Sequence, residues 1–555
     1  MRLRFPVLAL ALLAPAAVPL AVAGPASYAA SEGTGADHAH DAPVTATTDL
    51  GTYVVDPVRS GPDVPAYDRR DASSAPLARQ RSLTLNSNPG SERTIYLDFD
   101  GHRVAGTAWN SESGLAAQTY AGWSLDSDPA FSATELAFIR EVWLIVAEDF
   151  APFDVNVTTQ DPGEDAITRD GRNDRFYGTR AFVTNDDEPL EVICGNGCSG
   201  VAYTGAFANP DFHADLQPAW IFGQIQSSMT PKPVAETISH EVGHQLNLQH
   251  DGRFGEAYYE GHDIWAPIMG FSDFEPVTQW SDGAYSGYST DDDFQAVDDD
   301  IATIADSGAP LRADEAGSTV AAAAPLPSGP SVVTTRSDVD VFALGTCSGS
   351  TTVTADPASF APNLDIELRI LDASGSTLAT DNPASFQQGD DLDTAGGMGA
   401  SIVTTGTGQP LFARVDGIGT GNPSTAYDDF GSVGAYTLTV DGCEPDPEPE
   451  TTVPGAPTIG SPVRGTKGRP LTAGIRWSPP SSDGGAPITG YVVYFARVDA
   501  FGNELKLFFS DELPADRRTA NFKVARGLYR FQVVAVNSEG ESPRSSITST
   551  TVKAR

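Results

Sequence analysis

Residues 240–251 read His240-Glu241-Val242-Gly243-His244-Gln245-Leu246-Asn247-Leu248-Gln249-His250-Asp251, which gathers three of the chain's eight histidines into eleven positions. His240 and His244 stand at i and i+4, so a helix points both imidazoles the same way and lets them hold one ion. Val234, Ile238, Val242 and Leu246 advance about 40° apiece and take the opposite side. Glu241 lies about 100° round from His240. That offset suits a base acting on metal-bound water. His250 joins the pair only if the chain turns sharply after Leu246. Asn247 stands where a left-handed residue is needed, and Asn tolerates that conformation best after Gly. Three imidazoles with one open position are the arrangement of a catalytic zinc rather than a structural one.

The elements that must position these side chains are legible as patterns. Thr94–Asp100 alternates as a strand, and Ser132 caps a helix to about Phe150 whose apolar stripe includes Leu136, Ile139, Val142 and Val146. Strand-like runs follow at Phe153–Thr159, Phe176–Val183 and Gly200–Phe207. The histidine helix runs from about Pro231 to Leu246. A last helix is expected between Thr290 and Asp306, with Asp291–Asp293 in its first turn and Phe294, Val297, Ile301 and Ile304 on its apolar side. Strands mixed with three helices make 92–312 an α/β-type domain. From 313 to 443 helical patterning stops, and short alternating segments (Val339–Leu344, Thr351–Ala355, Ile366–Leu371, Leu411–Val415, Ala435–Val440) signal an all-β sandwich. An acidic, proline-rich linker at 444–452 separates it from a second β unit, 453–555.

The pattern HExxHxxNxxHD resembles the metzincin clan of zinc metallopeptidases, and Asp251 directly after the third histidine resembles its reprolysin-like branch. Met269 in Trp265-Ala266-Pro267-Ile268-Met269-Gly270 is the candidate Met-turn residue. The resemblance covers 92–312. It implies a two-lobed α/β catalytic domain with zinc in the cleft between lobes, held by His240, His244 and His250, with Glu241 as general base. It also implies a secreted metalloendopeptidase whose protein or peptide substrate lies extended beside an edge strand. Two positions depart from the clan. Asn247 replaces the usual glycine, and Phe271 stands where some metzincins carry a metal-binding tyrosine. The first cysteine is Cys194, so no upstream thiol serves as an inhibitory ligand, and any latency needs another group. The unit 313–443 resembles bacterial pre-peptidase C-terminal domains through Asp338-Val339-Asp340-Val341-Phe342 and Ala435–Val440. The last unit resembles fibronectin type III domains, with Trp477 in the core and Tyr529 as its tyrosine corner.

The chain has 555 residues, 34 basic and 74 acidic side chains and a net charge of −40. Such a balance argues against nucleic acid or an anionic membrane surface as partner of the whole molecule. The charge is uneven: 92–312 has 10 basic against 38 acidic side chains, whereas 451–555 has 14 against 8. The basic end is a candidate for binding a cell-surface or matrix polymer. Arg2 and Arg4 before the apolar run Phe5–Val22, ending Ala21-Val22-Ala23, read as a signal peptide over 1–23, with a membrane anchor as the alternative. No later run is long and apolar enough to span a bilayer. Residues 24–91 read as a pro-segment or flexible lead-in, with Arg69-Arg70 and Arg79–Arg81 as basic cleavage sites. Cys194 with Cys198 and Cys347 with Cys443 are expected disulfides in an exported protein. His262 reads as an extra ligand, a rim group or an ordinary loop residue, and Asp251 as orienting a ligand or closing its loop. Asp291–Asp293 and Asp298–Asp300 are calcium candidates that helix capping explains equally well. Two other readings stay open: an adhesive protein with an inactive protease-like domain, and a zinc hydrolase of cell-wall peptide cross-links.

Overall fold

The computed structural model describes residues 44–57, 82–126, 128, 130–223, 230–290, 299–388, 394–444, 451–464, 471–548 and 552–553. The expected signal peptide, the cleavage sites at Arg69-Arg70 and Arg79–Arg81, and Asp291–Asp298 lie outside them. So does the linker from 445 to 450. Two compact units divide the chain, Met1–Glu444 and Pro445–Arg555.

The larger unit is built on a seven-stranded sheet. In chain order its strands are β1 (Val44–Thr47), β2 (Thr52–Pro57), β3 (Arg93–Asp98), β4 (Asn156–Thr158), β5 (Tyr177–Thr184), β6 (Cys198–Tyr203) and β7 (Ala219–Phe222). Their spatial order is β1-β2-β6-β7-β5-β3-β4. The pairs β3–β4, β3–β5 and β5–β7 are parallel, whereas β6–β7, β2–β6 and β1–β2 are antiparallel. The lead-in was expected to lack regular structure. Its described part instead forms a hairpin that covers β6, which would otherwise be the sheet's edge. The run Tyr53-Val54-Val55 is aromatic and β-branched, a composition that favours a pleated, half-buried strand.

Two long helices complete this region. α1 (Ala133–Asp149) starts at Ser132, whose side chain accepts from Glu135 N while Glu135 reaches back to Ser132 N. That reciprocal capping box satisfies two orphan donors at the helix start. α2 (Pro231–Gln245) begins with Pro231, where a missing N–H costs nothing, and all fifteen of its residues are buried. The third expected helix is described from Asp300 to Asp306, capped by Asp299, with Ile301 and Ile304 buried.

The following β region does not stand apart from this body. One buried cluster runs from Ile95, Val146, Val242 and Trp280 through Phe342, Leu364 and Val433. Buried polar groups cross the same boundary: Asn363 Nδ2 donates to Asp149 Oδ1 at 2.8 Å, and Ala435 N donates to Glu148 Oε2 at 3.2 Å. Its main sheet has seven strands. The separate strands expected at Val339–Leu344 and Thr351–Ala355 are one strand, Val339–Pro357. Register shifts at Ala343/Gly345 and Cys347/Ser348 bend the strand without breaking its pairing. Cys347 lies opposite Cys443 in the ladder, and the two form a disulfide, as do Cys194 and Cys198.

The smaller unit has its own core of Trp477, Tyr491, Val493, Tyr529, Phe531 and Val533 among others. Tyr529 Oη donates to Ala525 O at 2.9 Å, closing the expected tyrosine corner.

Candidate metal centre

α2 delivers two imidazoles, and the turn that ends it delivers the third. Asn247 has φ 73°, the left-handed conformation expected of it. Leu248 N reaches back to Gly243 O at 3.0 Å and Asn247 N to His244 O at 2.9 Å. This Schellman closure reverses the chain within three residues and carries His250 back to the helix. His240 Nδ1 donates to Ile268 O at 2.9 Å and His244 Nδ1 to Leu248 O at 3.0 Å. Each bond fixes a ring and leaves its Nε2 as the free donor atom.

The three Nε2 atoms converge with a fourth group. His244 Nε2 lies 3.1 Å from His250 Nε2. Asp56 Oδ1 lies 2.8 Å from His250 Nε2 and 3.6 Å from His240 Nε2, and Asp56 Oδ2 is 3.5 Å from His244 Nε2. All four residues are buried, and one ligand atom from each falls within 4.8 Å of the others. Bonds of about 2.0–2.1 Å to a central zinc need such spacings. His240 Nε2 is buried without a hydrogen-bond partner. An imidazole lone pair buried in that state fits a metal ligand better than a packing group.

Electrostatics point the same way. Burial drives His240 down to about 4 against the pull of Asp56, which keeps its imidazole neutral. Burial would raise Asp56, but His240 and His250 hold it well below the usual carboxylate range. Burial and then the Asp56 charge push Glu241 well above its ordinary value. Glu241 needs a neighbour without a side chain: a Cβ on Gly200 would meet Glu241 Oε1 at 2.1 Å. Met269 lies directly beneath α2, and a Cβ on Gly243 would meet its Sδ at 2.6 Å. The residue picked out as a Met-turn therefore packs under the helix that carries two of the histidines.

Phe271 is not in the cluster; it packs against Phe274 at 5.5 Å between centroids. A different aromatic reaches the site. Tyr258 Oη donates to Asp56 Oδ1 at 2.5 Å, and its ring lies 4.3 Å from that of His250. His262 is outside the cluster, bonded to Tyr259 Oη at 2.6 Å and to Ala426 O at 2.8 Å. It ties the loop to the adjoining β region. Asp251 is buried, and its backbone N donates to Met269 O at 2.9 Å, joining the end of the motif to the Met269 segment. Of the acids weighed for calcium, Asp299 accepts from Ala302 N and Asp300 from Ser281 N, both at 2.8 Å.

Asp56 and Tyr258 were not singled out from the sequence. The run Thr52–Pro57 carried a short strand signal in its aromatic and β-branched residues. Nothing local could say that this strand would end beside His250, 194 residues later.

Residues 156–251 match the reprolysin-like metallopeptidase family M12B, and residues 455–551 match the fibronectin type III domain. Similar solved structures include the FN5 domain of Drosophila Lar, at 22% identity over 18% of this chain and 96% of that one, with a TM-score of 0.14. Titin kinase with its flanking domains is 21% identical over 18% of this chain, with a TM-score of 0.14. The present chain spans 16% of that titin chain.

Proposed function

Starting from a chain that carries a reprolysin-like metallopeptidase domain and a C-terminal fibronectin type III domain, we infer that it is a zinc-dependent endopeptidase of exported proteins or peptides. The observation that carries this reading is the convergence of His240, His244 and His250 Nε2 beside the buried carboxyl of Glu241. These three imidazoles would hold zinc, which supplies Lewis-acid polarisation of a carbonyl and an acidified water. Glu241 takes the proton of the attacking water and hands it to the leaving amide nitrogen. Tyr258 Oη donates at the point now held by Asp56 Oδ1. A hydrogen bond from that point to the oxyanion of a scissile carbonyl would supply what Phe271 cannot. Export is supported by the two disulfides. Among the described residues no helix is long and apolar enough to cross a membrane.

The test is digestion of casein by the zinc-loaded Asp56→Ala chain, with product masses read by mass spectrometry. Internal cleavages that stop with a chelator and return with zinc support the reading. Casein left whole by the fully zinc-loaded protein refutes it. Tyr258→Phe in the same background is expected to lower kcat by about 10²–10³-fold with zinc content unchanged.

A further inference from the structure

A catalytic zinc keeps one coordination position open, whereas this cluster contains a fourth protein group. That group does not come from the histidine helix or its turn. It comes from β2, which pairs with β6 in the register Tyr53↔Tyr203, Val54↔Ala202, Val55↔Val201 and Asp56↔Gly200. Gly200 is the residue against which the Glu241 carboxyl rests. The antiparallel partner of β6 therefore runs directly past the general base. An extended peptide adding itself to a sheet edge would occupy this line.

The side chains of β2 are also seated like those of a bound peptide. Asp56 points inward, 5% exposed, towards the three Nε2 atoms, and Tyr258 holds its Oδ1. Three residues earlier, Tyr53 sits between Trp109 and Tyr203, at 5.3 and 5.2 Å between ring centroids. Tyr53 and Val55 pack against the buried cluster that contains Trp109, Tyr203 and Leu216. One end of the strand thus fills an aromatic pocket while the other closes the metal cluster.

We propose that β2 is an internal occupant of the substrate edge, with Asp56 taking the zinc's open position and Tyr53 anchoring the strand, so that the chain in this state is latent. Lifting β2 from β6 frees the edge, the aromatic pocket and the fourth position together. The proposal rests on the metallopeptidase reading for its consequence, but its geometry is testable without turnover.

Full-length protein is loaded with cobalt in place of zinc and compared with Asp56→Ala, Asp56→Asn and Tyr53→Ala. Two readouts are taken, the visible cobalt spectrum and the affinity for a small hydroxamate, alongside casein hydrolysis. Asp56→Ala is expected to change the spectrum and to bind hydroxamate at least about 10-fold more tightly than the unaltered chain, because the probe no longer competes with an attached carboxylate. Asp56→Asn should fall between the two. Tyr53→Ala leaves all four cluster residues in place and is expected to tighten hydroxamate binding by loosening the strand, which covers the case in which Asp56→Ala fails to fold. The exposed Asp49, in the turn before β2, serves as a control, and Asp49→Ala should change nothing. An unchanged spectrum and equal hydroxamate affinity in Asp56→Ala and Tyr53→Ala would overturn the proposal. So would lower casein hydrolysis by a fully loaded Asp56→Ala, since Asp56 would then be a working part of the site. Tighter hydroxamate binding with no hydrolysis by any variant would uphold the occupied edge and sink the peptidase reading instead.

Discussion

The two β regions that follow the metal-site sheet hold their cores in opposite ways. The first merges its interior with the α/β region, so that Phe342, Leu364 and Val433 belong to the cluster that contains Val146, Val242 and Trp280. It also supplies Asn363 to a buried chain in which Asp149 accepts from both Asn363 Nδ2 and Ser239 Oγ, the latter on the histidine helix at 2.6 Å. The last region packs Trp477, Tyr491, Tyr529 and Phe531 within a core of its own residues. Two stretches with the same short alternating pattern thus play different physical parts. One is a wall of the body that carries the metal centre, and the other is self-sufficient.

Truncation should break this contrast most strongly. A chain ending at Arg312 loses the cover of its core and half of its buried polar chain. It is expected to lose both its cooperative thermal transition and its bound zinc, whereas a chain ending at Glu444 keeps both, as calorimetry and metal analysis would show. Next, Trp477→Ala should cost about 3–5 kcal/mol, confined to the transition of the last unit. Loss of stability in the larger unit would mean that the two cores are not separate.

Glu148 sharpens the comparison through pH. Burial lifts its carboxyl from 4.5 to about 8, helped by Asp149 and opposed by the bond from Ala435 N. A carboxyl raised on folding contributes stability that is complete below its ordinary pKa and is lost as pH rises through the folded value. Between 4.5 and about 8, the larger unit should therefore weaken by up to about 1.4 kcal/mol per pH unit. Glu148→Gln should flatten this decline, and denaturant titrations at several pH values would detect it. A decline of equal slope in both proteins would show that Glu148 is not its source. Smallest of these effects, Asn363→Ala leaves Asp149 Oδ1 without its donor and should cost about 1–3 kcal/mol, read in the larger unit alone.

What was legible in the sequence was local. The histidine spacing, the left-handed Asn247, the Ser132 cap and the tyrosine corner at Tyr529 each depend on residues a few positions apart, and the structure contains them all. The groups that went unread act over long separations. Asp56 reaches the cluster only because β2 pairs with β6, and Tyr258 only because the chain after His250 folds back over that histidine. The shared core was hidden for a related reason. Alternation says that a strand has an inner face, not which element covers it.

Zinc content and casein hydrolysis, measured on the same samples of Asp56→Ala and of Asp56→Ala with Glu241→Ala, test most directly whether this cluster is a hydrolytic centre. Both proteins should hold one zinc per chain, and removing Glu241 should lower hydrolysis by about 10²–10⁴-fold. Undiminished hydrolysis with zinc retained and Glu241 gone would contradict the assignment.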